Sequence, residues 1–147
     1  MLRASDDRND DYLVFIPSNR YELAIRYDRP TIAGLKNFFV ESTAKYIGRQ
    51  HRAPRVVTVA EINDAIDRGE DPFEEDDSNF DFMAAPPGYF LWNVAAGVSI
   101  KGENSQYDFR LGSENILNTS YREYTNRFRY YADDLGRNFI VSFKCTF

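Results

Sequence analysis

Apolar and polar residues alternate along five stretches of this 147-residue chain. A repeat of two residues in this pattern predicts β-strands that have one apolar face and one solvent-exposed polar face. The alternation is clearest over residues 20–28, where charged residues dominate one face and the other face carries Tyr21, Leu23, Ile25 and Tyr27. The pattern predicts strands near residues 20–28, 35–50, 88–100, 107–116 and 138–147.

The predicted connections between these strands alternate in length. Short turns are expected around residues 30–34 and 101–106, which contain turn-forming residues, and long loops over 52–87 and 117–135. An antiparallel meander with short turns at one end and long loops at the other is typical of outer-membrane β-barrels. A half-buried sheet of a soluble protein shows the same residue alternation, so the period alone leaves both folds open.

One short helix is predicted inside the first long loop. Thr58 and Glu61 have the spacing of a capping box, and the helix is expected to end near Gly69. Its apolar stripe consists of Ile62, Ala65 and Ile66. The acidic run that follows, residues 70–81, is interpreted as a solvated loop. Its carboxylates can hold a hard cation, but their spacing does not match an EF-hand, so no metal site is predicted.

Composition narrows the classes of function. A formal net charge of -5 does not indicate the basic surface that a nucleic-acid-binding protein needs. The single cysteine cannot form a disulfide within the chain, and no apolar run reaches the roughly 18 residues of a membrane-spanning helix. The single histidine, His51, has no nucleophile or carboxylate at motif spacing, so neither an enzyme nor a cofactor is predicted.

Aromatic residues make up 16% of the chain and stand toward the ends of the predicted strands. Outer-membrane barrels carry such aromatic girdles at both membrane interfaces, with aliphatic residues between them. The last strand ends the chain on an aromatic residue, and its apolar positions are Phe139, Val141, Phe143, Cys145 and Phe147. The positions opposite, Asn138, Ser142, Lys144 and Thr146, are expected to face water.

Three segments resemble the C-terminal end of TonB-dependent outer-membrane receptors. They read G-Y-F-L-W-N (88–93), S-E-N-I-L-N-T-S-Y-R-E-Y (113–124) and L-G-R-N-F-I-V-S-F-K-C-T-F (135–147). Positions that match the pattern of that family are Asn115, Asn118, Tyr121, Gly136, Arg137, Phe139 and Phe147. Leu135 and Cys145 depart from it, because proline and an aromatic or aliphatic residue are commoner there.

The resemblance implies that residues 1–147 form about the last five strands of a larger, antiparallel transmembrane β-barrel in the outer membrane of a Gram-negative bacterium. It implies active uptake of a scarce ligand such as a ferric siderophore or cobalamin. The plug, the TonB-contacting box and most barrel strands have no counterpart here, and residues 1–11 lack a secretory signal. The chain is therefore expected to be a C-terminal fragment that does not transport alone.

The same resemblance suggests partners and site residues. Expected partners are outer-membrane lipid, the remaining barrel and plug, TonB through the missing N-terminal part, and the barrel-assembly machinery. Ligand contacts are expected in the second long loop, at Tyr121, Arg122, Tyr124, Arg127, Arg129, Tyr130 and Tyr131. The arginines suit an anionic siderophore or lipopolysaccharide phosphates, and the tyrosines are also interpreted as interfacial or loop-packing residues. The assembly signal is expected at Phe143, Cys145 and Phe147.

Three other interpretations remain open. One is a soluble antiparallel β-domain that acts as a binding module, although the pattern offers no helix to cover its apolar face. Another is a receptor that imports oligosaccharides. The third is an unrelated small outer-membrane barrel, for which an odd and low number of strands is unfavourable.

Overall fold

The computed structural model describes residues 5–6, 11–70 and 80–147. The described chain forms two compact units. The loop unit comprises the described parts of residues 1–19, 48–88 and 121–134. The sheet unit comprises Arg20–Ile47, Tyr89–Ser120 and Leu135–Phe147.

The sheet unit is an antiparallel meander of five strands in the order β3-β4-β7-β8-β9. These strands are Arg20–Ile32 (β3), Leu35–Ile47 (β4), Tyr89–Lys101 (β7), Gln106–Glu114 (β8) and Asn138–Thr146 (β9). The sheet is open, because β3 and β9 each pair on one side only within the described chain. The prediction of an all-β, five-stranded antiparallel fold with one short helix is confirmed.

The first hairpin turns later than predicted. Strand β3 continues through Pro30 to Ile32, and the turn consists of Ala33 and Gly34, with φ of 47° and 84°. Two residues of positive φ make a type I′ turn, whose twist suits a hairpin. Proline is tolerated because β3 is an edge strand, where a missing N–H leaves no sheet hydrogen bond unmade. The predicted turn at 30–34 therefore started too early, and predicted strand 20–28 was too short.

A bulge in β4 places an aromatic ring over a glycine of β7. The register shifts between Lys36 and Phe39, and Asn37 has a φ of 50°. The Phe39 ring lies directly over Gly97, where an added Cβ would come within 2.8 Å of the ring atom Cζ. Only glycine leaves room for this contact, which has the geometry by which rings cover sheet glycines.

The asparagine motif of residues 115–118 joins the end of β8 to the start of β9. Asn115 and Asn118 both have positive φ, 48° and 56°. The Asn115 amide Nδ2 donates to the Leu135 carbonyl at 3.4 Å, and the Asn118 Oδ1 accepts from the Arg137 N–H at 2.9 Å. Asparagine suits these positions because its short side chain tolerates the left-handed conformation and bonds nearby backbone.

The loop unit holds short elements. Two-residue strands pair Ser5–Asp6 (β1) with Asp11–Tyr12 (β2) and Arg55–Val56 (β5) with Phe80–Asp81 (β6). The α-helix Val59–Asp67 (α1) follows β5, and a 3-10 helix spans Arg127–Tyr130.

Helix α1 begins and ends as the sequence predicts. The Glu61 carboxylate accepts from the Thr58 N–H at 2.6 Å, the Thr58 hydroxyl accepts from the Glu61 N–H at 3.3 Å, and Gly69 has positive φ. Of the predicted apolar stripe, Ala65 is buried but Ile66 is exposed. No helix in the described part of the chain is long and apolar enough to cross a membrane.

Candidate functional site

The sheet unit has one face of exposed apolar side chains. On β3 alone, Tyr21, Leu23, Ile25 and Tyr27 are 55–67% exposed. The same face continues across the sheet, because β3 residues lie opposite apolar β4 residues and the pairing repeats to β9. Exposed members on the later strands are Val40, Tyr46, Phe90, Trp92, Phe109, Leu111, Phe139, Val141 and Phe143.

Aromatic rings occupy both ends of this apolar face. At the end where the long connections attach, Tyr21 pairs with Tyr46, which pairs with Phe90. At the other end, the Phe143 ring lies 4.9 Å from the Phe109 ring and stacks 6.2 Å from the Tyr107 ring. Between them lie mostly aliphatic side chains, together with Trp92, Phe139 and two serines, Ser42 and Ser113. Tyr21 and Tyr27 are six positions apart, a span of roughly 20 Å along the strand.

The opposite face of the sheet is charged. Lys45 pairs with Glu22 at 3.2 Å, and Arg26 pairs with Glu41 at 3.2 Å. A groove of about 670 Å³ runs over this face, and its lining includes Ser142 and Lys144, two residues predicted to face water. The Arg26 guanidinium also lies 4.1 Å from the centre of the Phe39 ring.

The three residues of the predicted assembly signal lie on the apolar face or at its end. Phe143 packs on Phe109, the free thiol of Cys145 is half-buried, and Phe147 is 96% exposed. Their recognition by an assembly machinery stays a prediction.

The loop unit is built around a buried ion pair that the sequence did not reveal. Asp81 of β6 pairs with Arg129 of the 3-10 helix, and both side chains are almost fully buried. The Tyr130 hydroxyl donates to the Asp81 carboxylate at 2.6 Å and accepts from the Arg129 guanidinium at 3.2 Å. The same guanidinium lies 4.6 Å from the centre of the Tyr124 ring. Two oppositely charged groups are thereby held out of water by rings and hydrogen bonds.

Burial dominates the electrostatics of the two tyrosines beside this pair. Loss of water around the Tyr130 phenol, reinforced by its hydrogen bond to Asp81, raises the pKa of Tyr130 to about 12. Burial likewise raises the pKa of Tyr124, with the Asp81 charge adding to the effect. Both phenols are therefore neutral at physiological pH.

The structure brings the predicted ligand residues into one unit but gives several of them packing roles. Tyr124 and Arg129 are 1% and 0% exposed. Arg122 pairs with Asp133 at 2.5 Å and donates to the Arg129 carbonyl at 2.9 Å. Tyr121 and Tyr130 are half-buried, whereas Arg127 and Tyr131 are exposed. Ligand contact by any of them stays a prediction.

The predicted acidic loop, residues 70–81, falls mostly outside the described residues, and the interpretation of that run as a solvated loop is untested there. Its last member, Asp81, is described and is buried. An acid at the end of an acidic run carries no local signal that it pairs with an arginine 48 residues later.

A cavity of about 630 Å³ opens in the loop unit. Its lining includes Phe15, Phe82, Met83, Arg127 and Tyr131. Phe15 has a φ of 63°, a conformation that a bulky side chain rarely adopts. Arg127 and Tyr131 are among the ligand residues predicted from the sequence. Phe15, Phe82 and Met83 were not predicted, because residues 15 and 82–83 lie in loops without a recognisable motif.

Comparison of this chain with protein-family models, with curated proteins and with solved structures finds no match.

Proposed function

We propose that the chain is a C-terminal barrel segment of an outer-membrane TonB-dependent receptor, which takes up a scarce ligand such as a ferric siderophore or cobalamin. In this proposal the apolar face of the sheet contacts lipid, and the charged face lines the barrel interior. The loop unit belongs to the outer side, where ligand first meets the receptor.

The observation that carries the proposal is the exposed apolar face of the sheet unit. Monomeric soluble proteins rarely expose a contiguous apolar patch of more than a few hundred Å². Moving each large aliphatic or aromatic side chain out of water is worth about 1.5–3 kcal/mol. A face that carries such side chains on all five strands therefore requires an apolar environment, and lipid supplies it.

The distribution of side chains on that face favours a bilayer over a protein partner. Rows of rings stand at both ends of the face, as the aromatic girdles of a membrane barrel do, and most of the side chains between them are aliphatic. The Trp92 indole N–H donates to the Ser42 hydroxyl at 2.8 Å, so it carries no unmet hydrogen bond into lipid. The ion pairs of the other face need water or one another, as the wall of a pore provides.

The open sheet supports the part of the proposal that concerns a larger barrel. Unpaired backbone groups of β3 and β9 cost several kcal/mol each within lipid. These edges must therefore be paired before the segment is stable in a membrane, either by the rest of the barrel or, in a chain reconstituted alone, by the edges of further copies of the chain. Transport then belongs to the assembled receptor and not to these five strands alone.

Trp92, the single tryptophan, permits a direct test. The full chain is reconstituted in bilayers that carry bromine atoms at shallow, middle or deep positions of the acyl chains. Trp92 follows Phe90 by two residues on the same face of β7 and therefore lies next to the terminal row of rings. Shallow bromines are expected to quench its fluorescence most. In a Trp92→Phe background, Ile25→Trp places a reporter in the middle of the apolar face, and deep bromines should quench it.

Ser142→Trp in the same background is the matched control, because Ser142 lies on the charged face. A water-soluble quencher should reach this reporter, and the lipid bromines should not. If none of the reporters responds to lipid bromines and the chain is a monomer in buffer, the membrane proposal is wrong. A soluble β-domain that acts as a binding module then becomes the better interpretation.

A further inference from the structure

The cavity of the loop unit has the size and the lining of a small-molecule site. Its volume of about 630 Å³ falls in the range of roughly 300–1,000 Å³ that such sites occupy. Its walls are mostly rings and aliphatic groups, with Arg127 as the charged side chain among its lining residues. Apolar walls with a few polar groups are the usual composition of a ligand site.

The rings at this cavity are exposed although they are large and apolar. Phe82 is 57% exposed and Tyr131 is 85% exposed. The Phe15 ring is turned toward Tyr124, at 6.3 Å between ring centres, by a backbone in the left-handed region. Backbone strain of this kind tends to occur at ligand sites.

The cavity wall is held in place from behind. The Tyr130 ring meets the Phe82 ring edge-on at 6.4 Å, and the Tyr130 hydroxyl is fixed by Asp81. Asp81 also neutralises Arg129. Among the described residues, the charge left facing the cavity is therefore that of Arg127, whose guanidinium lies 5.6 Å from the centre of the Phe15 ring.

We propose that this cavity binds a planar aromatic group that carries a negative charge, with the ring held by Phe15, Phe82 and Tyr131 and the anion at Arg127. A flat aromatic ring gains affinity from aromatic neighbours beyond the effect of its buried area, and an aliphatic ligand does not. A cationic ligand would be repelled by the arginine. A sugar would need several hydrogen-bonding groups, and the Tyr130 hydroxyl is already engaged.

The biological role of this site rests on the proposed receptor function, but the binding itself does not. Met83 lines the cavity, and Met1 is the only other methionine. Isotope-labelled methionine methyl groups therefore give only two signals, and the signal of Met83 is the reporter. The full chain is titrated in buffer, or in detergent micelles with chain-free micelles as the blank.

Naphthoate is the probe, because it combines a flat ring system with a carboxylate. It is expected to shift the Met83 methyl signal saturably through ring currents. Naphthylmethanol lacks the charge and should bind at least about tenfold more weakly than naphthoate, the loss of one charge-assisted bond. Cyclohexanecarboxylate lacks the flat ring system and should bind about twofold to tenfold more weakly, the loss of ring stacking.

Arg127→Gln is expected to weaken naphthoate binding at least about tenfold, the loss of one charge-assisted hydrogen bond, and to leave naphthylmethanol binding unchanged. Arg68→Gln is the matched control, because Arg68 is an exposed arginine of the same unit that pairs with Glu70 away from the cavity lining. Tyr131→Ala removes an exposed ring without disturbing the fold and should weaken both aromatic probes.

A silent Met83 signal with naphthoate overturns the proposal, as does equal affinity for naphthoate and naphthylmethanol. Retention of full naphthoate affinity in the Arg127→Gln chain does the same. These results are independent of the Trp92 measurement, so insertion into lipid together with a silent Met83 would reject this ligand class and leave the membrane proposal standing.

Discussion

Breaking the buried Asp81–Arg129 pair is expected to open the loop unit. Replacing Asp81 with leucine leaves a buried guanidinium without its carboxylate, and arginine cannot lose its proton at any ordinary pH. Removal of one partner of a buried pair costs about 3–5 kcal/mol. The Tyr130 hydroxyl loses its acceptor in the same variant, so the cost should fall in the upper part of that range.

Replacing Arg129 should lower the stability of the loop unit less than replacing Asp81 does. In an Arg129→Met chain, Asp81 keeps the hydrogen bond from Tyr130 and the one from the Met83 N–H at 3.3 Å. The double variant replaces both charges with apolar groups, and such replacements are often neutral or stabilising. Its cost should therefore stay below that of Asp81→Leu alone.

Native-state hydrogen exchange measures these free energies locally. The Val57 N–H donates to the Asp81 carbonyl at 2.8 Å and reports opening of this part of the loop unit. Glu70→Ala breaks the exposed Arg68–Glu70 pair and is the control, with an expected effect under about 1 kcal/mol. A drop of less than about 1 kcal/mol in Asp81→Leu, or a double variant whose cost equals the sum of the two single costs, would refute the reasoning.

Three further predictions concern single positions. Gly97→Ala should destabilise the sheet by about 1–3 kcal/mol, because the added Cβ overlaps the Phe39 ring. Gly112→Ala is the control, because a Cβ added there meets no atom closer than 3.6 Å. Equal free energies of unfolding for the two variants would contradict this prediction. Asn115→Ala should lower the free energy of unfolding by about 2–4 kcal/mol. The change removes two side-chain hydrogen bonds shorter than 3.0 Å from a residue that has a positive φ. The neutral Tyr130 phenol stabilises the loop unit fully below about pH 10, and this contribution should be lost as the pH rises through about 12. In an absorbance titration of the tyrosine phenols, the step at the highest pH should disappear in Tyr130→Phe. If that step is retained, its assignment to Tyr130 is wrong.

Much of the sheet could be predicted because its signals are local. The alternation of apolar and polar residues over 20–28 and 138–147 can be recognised from neighbouring positions alone. It directly predicts a strand with one polar, solvent-exposed face. The same holds for the capping box of Thr58 and Glu61, whose two hydrogen bonds close within four residues. Strand ends were less accurate, since Pro30 is excluded from a central strand but accepted at a sheet edge, and edge position is a tertiary property.

The candidate site could be predicted only in part. Its second long loop was recognised from a concentration of tyrosine and arginine, but composition does not distinguish a surface arginine from a buried one. Arg127 and Arg129 are two positions apart, yet one is exposed at a cavity and the other is buried against Asp81. The membrane location, the receptor family and the ligand remain proposals that the experiments above test.

The sequence by itself determined the five two-faced strands, their antiparallel order and the capped helix, because each depends on periodicity or on contacts a few residues apart. Only the tertiary structure decided which charges lie in water, which rings line a cavity and where the bulge places Phe39 over Gly97. Those outcomes depend on partners far away in the chain. Asp81 and Arg129 are 48 positions apart, and burial of either charge is tolerable only when folding brings the other to it.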